Sequence, residues 1–151
     1  MWLAIALHVL SAVIWVGGMF FAYMAMRPAV IQVIEAGLRG SLWYQTLTRF
    51  FRWVWLAIAL LLITGYWMIF KGFGGMAGAG WHIHLMQMVG LIMMLIFFHL
   101  YFAPFRRLKQ AVAAGDPKEG GRQVGKIRRL VGINLILGLI VVVIGSAGRY
   151  L

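Results

Sequence analysis

The chain contains no cysteine and only three acidic residues among its 151 positions. The first absence excludes disulfides, thiolate metal sites, iron–sulfur clusters and covalently attached c-type haem. The second is as restrictive. Glu35, Asp116 and Glu119 all fall in polar connections between apolar runs, which rules out a carboxylate dyad, a carboxylate proton relay or a Ser-His-Asp triad inside the apolar part. No strand pattern occurs, so no glycine loop of the phosphate-binding kind can follow one. The glycines of "GFGGMAGAG" are loop composition, and neither an internal repeat nor a low-complexity tract is found.

Apolar residues make up 64% of the chain and charged ones 11%, against about a quarter charged in soluble domains. This composition belongs to a membrane protein. Runs long enough to cross a hydrocarbon core of about 30 Å lie near Trp2 to Met26, Phe51 to Phe70, Trp81 to Phe102 and Leu130 to Ala147. The first run is too long for a signal-peptide core and lacks a basic leader, so it reads as a retained helix. The expected fold is all-α and integral to the membrane: one domain over 1–151, a four-transmembrane-helix up-down bundle.

The basic residues sort by connection. Twelve of the fourteen lie in or beside the first and third connections, and only Lys71 and Arg149 fall at the other end. The positive-inside rule then puts both termini outside. The net charge of +11 is thereby read as a topology signal, and nucleic acid is not an expected partner. Trp2, Tyr66, Trp67, Trp81 and Tyr150 are expected in an outer aromatic belt, with Tyr23, Trp43, Tyr44, Trp53, Trp55 and Tyr101 in an inner one. The stretch from Arg27 to Arg49 has apolar residues at helical spacing and is expected as a short interfacial helix. The third connection is expected to turn at Gly115-Asp116-Pro117.

Four histidines are the residues with chemistry to offer, and two of them stand in "GWHIHLMQM", Gly80 to Met88, beside two methionines. At 1.5 Å per residue, His8 lies roughly 9 Å inside the first span, and His84 a few ångströms inside the third from the same side. An imidazole within a span is a functional candidate by default. His99, about 22 Å further along than His84, belongs to the opposite end, where a hydrogen bond to Asn134 is its structural reading. For His82 the structural reading is a solvated residue at the membrane surface.

Two kinds of centre suit these residues. One is a b-type haem in the outer half between helices 1 and 3. His8 and His84 would be its axial ligands and Met88 an alternative one, with Trp15 packed below and Arg149 and Lys71 beside the propionates. Gly65, Gly90 and Gly145 supply small residues at that level. The other is copper(I), which favours imidazole and thioether donors and would use His8, His84, His82, Met86 and Met88. A third reading is a structural subunit whose histidines only pack.

The first helix, "LHVLSAVIWVGGMFFAYMAMRP" with His8, Trp15, Gly17 and Gly18, resembles that of the copper-resistance D (CopD) superfamily. Similarity continues through "WHIHLMQMVGLIMMLIFFHLY" and "IRRLVGINLILGLI". The resemblance implies a four-helix membrane protein of one of two branches, CopD-type copper uptake or the haem-binding HemJ-type protoporphyrinogen oxidases, with His8 a ligand in either. No lysine stands in the third span and no acid or proline follows Asn134, so the oxidase activity is not carried over. The leading expectation is a bacterial inner-membrane protein with periplasmic termini whose haem b serves electron transfer or haem-linked redox chemistry near the periplasmic face, with the lipid bilayer, a redox partner or quinone, and a homo-oligomer as partners. The alternative is copper binding and uptake.

Overall fold

A computed structural model describes residues 1–150. Four helices are long and apolar enough to cross a membrane: α1, Trp2–Val33; α2, Ala36–Gly72; α3, Trp81–Ala113; and α4, Pro117–Tyr150. No strand occurs among the described residues. Both terminal segments and the glycine-rich α2–α3 connection lie at one end, called here the terminal end. The α1–α2 and α3–α4 connections form the other, basic end.

The helices overrun the expected spans. A helix of 37 residues, the length of α2, is about 55 Å long, far more than a hydrocarbon core of about 30 Å. The surplus is at the basic end. There the stretch expected as an interfacial helix is instead the end of α1 and the start of α2, joined by the two residues Ile34 and Glu35. Its apolar residues at helical spacing continue the core stripe: Val30, Gly40 and Leu47 are buried, as are Leu108, Ala111 and Ile127 from the other two helices. Gly40 and Gly120 let α2 and α4 approach so closely that a Cβ on Gly40 would lie 3.7 Å from Gly120 Cα.

Local chemistry closes both connections at this end. Arg39 reaches back over the first, donating Nε–H to Ile34 O at 2.9 Å and Nη2–H to Ile31 O at 2.7 Å. It thereby satisfies carbonyls that the end of α1 would leave orphaned. The second turns where expected. Gly115 takes φ +64°, Asp116 caps α4 by accepting from Glu119 N–H at 3.1 Å, and Pro117 occupies the first turn.

Each of the two prolines within long helices is matched to one π-helical segment. Tyr101–Phe105 contains Pro104, and Ala22–Met26 comes just before Pro28. Proline lacks the N–H that would bond the carbonyl four residues back, and a wider turn accommodates the loss without ending the helix.

The core of the bundle is aromatic. Phe51 meets Phe97 and Phe105 edge-on at centroid distances of 5.3 and 4.9 Å, and Trp55 stacks on Phe98 at 5.3 Å. Tyr44, Trp55 and Tyr101, expected in the inner belt, belong to this cluster instead. They sit on the faces of α2 and α3 that meet. Trp2, Trp53, Trp67, Trp81 and Tyr150 are exposed, as belt residues are.

Candidate functional site

His8 is half-buried on α1, and its ring turns toward α2. A Cβ added to Gly65 would lie 3.2 Å from His8 Cε1, so the glycine makes room for the imidazole. One residue earlier, Thr64 Oγ1 stands 2.9 Å from His8 Nδ1. Thr64 is itself buried in an apolar helix, and its hydroxyl proton is committed to Leu60 O.

That commitment fixes the histidine. A hydroxyl has one proton to give; with it on Leu60 O, Thr64 Oγ1 can only accept from His8. Nδ1 therefore carries the proton, and Nε2 keeps a free lone pair. Metal-ligating histidines are oriented in this way, the far ring nitrogen donating to a neighbouring oxygen.

His8 lines a cavity of about 390 Å³ in the terminal half of the bundle. Met68 and Met86 line it too, and so do Gly65, Gly90, Gly138 and Gly145; His8, Val16 and Met86 pack where Gly65, Gly138 and Gly145 lack a Cβ, while the place beside Gly90 is open. Gln87 and Tyr66, hydrogen-bonded to one another at 2.8 Å, are the polar pair at its edge. Trp15 closes the inner side, 3% exposed and edge-on to Phe97 at 6.2 Å. Among the described residues no three His, Cys, Asp or Glu side chains gather into a metal site, so any metal here would depend on thioether donors beside the imidazole.

The other residues singled out from the sequence lie elsewhere. His84 and Met88 are exposed on α3 and do not line the His8 cavity. Equal depth brought His84 and His8 together in the sequence reading, but the rotation of α3 presents Met86 to the cavity instead. His82 is half-buried, packed against Gly80 and Gly148 with Trp81 edge-on at 6.0 Å. Arg149 lies over the Tyr150 ring at 5.0 Å, and Lys71 is exposed. His99 is exposed and does not bond Asn134, whose amide donates to Met93 O at 3.0 Å. Met93 is six residues before His99, on a different face of α3, which is why the expected pair does not form.

Thr64 is the residue that sequence reasoning missed, although the signal was present. It lies six positions before Phe70, the expected end of its span, and His8 lies six after Trp2. The depth argument applied to His84 matches Thr64 equally well.

Four long apolar helices around a histidine held in one tautomer define a multi-pass α-helical membrane protein with a single prepared imidazole. The family model for copper resistance protein D (CopD) matches residues 44–147, more than two-thirds of the chain, and the chain belongs to that family. The match runs from within α2 to near the end of α4 and includes the Thr64 side of the site, while His8 lies before it. Neither the curated proteins nor the solved structures give a match.

Proposed function

We propose that this CopD-family protein binds copper(I) in the cavity of its terminal half, with His8 Nε2 as the nitrogen ligand and Met68 and Met86 as thioether donors. The carrying observation is the hydrogen-bonded series from His8 Nδ1 through Thr64 to Leu60 O, which leaves Nε2 unengaged on a cavity that Met68 and Met86 also line. Imidazole and thioether without carboxylate is a donor set that favours copper(I) over harder ions. With twelve basic residues at the other end, the positive-inside rule supports placing this cavity toward the periplasm of a bacterial inner membrane. The protein would there receive copper from outside.

The test is anaerobic competition for copper(I) between the detergent-purified protein and a chromophoric chelator. One ion per chain is expected, with binding lost in His8→Ala and weakened about tenfold in Met86→Leu. Undiminished affinity in His8→Ala would overturn the reading.

A second reading starts from the same imidazole and from the open backbone at Gly90. Bare backbone there suits a flat macrocycle, so a b-type haem that His8 and a cavity methionine would hold is the alternative. It would pass electrons to a redox partner or quinone. Reconstitution with haem distinguishes the two, since a low-spin spectrum that disappears in His8→Ala belongs to haem alone.

A further inference from the structure

A second cavity, of about 420 Å³, lies toward the basic end. Its deep part is apolar and aromatic, with Trp15, Met19, Phe51 and Phe97 among its walls. Four cations line it further out: Arg27, Arg39, Lys118 and Arg128. No acid lines it, and the ion pair formed among the described residues, Arg122 with Glu119, leaves all four without a carboxylate. Arg39 keeps N–H groups beyond the two it gives to carbonyls, and Arg27 lies 5.6 Å from the Tyr23 ring centroid.

Topology accounts for positive charge at this end, but it does not account for Asn134. This residue is 2% exposed and lines the same cavity. Its Nδ2 donates to Met93 O, which fixes the amide's orientation, and its Oδ1 has no partner among the described residues. A buried acceptor without a donor is costly and rare. Along α4, Arg128 lies roughly 9 Å from Asn134 and Lys118 roughly 24 Å. A molecule reaching from the deep acceptor to the cations therefore needs an apolar body of that order of length.

We infer that this cavity binds an anionic amphiphile with a hydrogen-bond donor at its buried end. Its carboxylate or phosphate lies among Arg27, Arg39, Arg128 and Lys118, its apolar body runs between the aromatic walls, and its O–H or N–H donates to Asn134 Oδ1. A membrane phospholipid is the competing occupant. It supplies the anion, but its chains end in methyl groups that leave Oδ1 unpaired.

The experiment is equilibrium dialysis of radiolabelled ω-hydroxydodecanoate against the protein in phosphatidylcholine nanodiscs, with empty nanodiscs subtracted. Saturable binding of one molecule per chain is expected. Affinity should fall about tenfold for dodecanoate, which lacks the hydroxyl, and by a similar factor for the dodecane diol, which lacks the anion. Arg27→Gln combined with Arg128→Gln should weaken both acids, and Asn134→Leu should abolish the difference between them. Should Asn134→Leu fail to fold, the three probes on the unaltered chain still decide. No saturable binding, or equal binding of all three, overturns the inference. Complete displacement of the hydroxy acid by added phosphatidylglycerol also overturns it, in favour of a plain lipid site.

Discussion

At the scale of single residues, the site depends on a proton that Thr64 refuses to share. Replacing Thr64 with Val keeps the shape but removes the oxygen that accepts from Nδ1, freeing the imidazole to adopt either tautomer. Copper(I) affinity should then fall by roughly 10- to 100-fold, the usual effect of losing such an orienting partner. Thr64→Ser should restore it, and the chelator competition measures both. His8 was visible in the sequence because an imidazole is conspicuous in an apolar run, and Thr64 was overlooked because threonine is not. Depth along a helix can be counted from the sequence, whereas rotation about its axis depends on which faces meet. His84 and Met88 had the right height and the wrong azimuth for the His8 cavity, while Met86 had both.

At the scale of elements, the four apolar runs and the turn at Gly115 to Pro117 were legible, because length, hydropathy and turn chemistry are local properties. The ends of the helices were not. Basic residues in the first connection read as a topology signal, yet Arg39 works as the clasp of a two-residue corner. Arg39→Ala should lower stability by about 2 kcal/mol through loss of charge-assisted bonds to otherwise orphaned carbonyls. Arg39→Lys should recover little, since an ammonium is a point donor without the fork that spans two carbonyls. Unfolding of the detergent-solubilised variants by denaturant checks the order. The π-helical segments were equally hidden, although Pro28 and Pro104 marked their neighbourhoods.

At the scale of the whole molecule, the four-helix architecture and the gathering of charge at one end both followed from the sequence. The overhang at the basic end did not, because hydropathy reports where a helix can be buried in lipid and not where it stops. Orientation is open to direct test. The chain has no cysteine, so single-cysteine variants label without background. In intact cells an impermeant maleimide should modify Ala77→Cys in the α2–α3 connection and leave Arg122→Cys unlabelled until the membrane is opened. The reverse pattern would invert the topology and the direction proposed for copper.

Trp15 lines both cavities, one from each half of the bundle, so a single indole stands between them. Were water to fill both, a transmembrane voltage would fall chiefly across that indole, and a charge carried past Trp15 would traverse much of the potential, worth about 2.3 kcal/mol per elementary charge for each 100 mV. Shortening that side chain in Trp15→Ala should turn the partition into a voltage-dependent leak, visible as current across a planar bilayer. The intact indole would then act as the dielectric of a capacitor whose two plates are the imidazole cavity and the arginine-lined one.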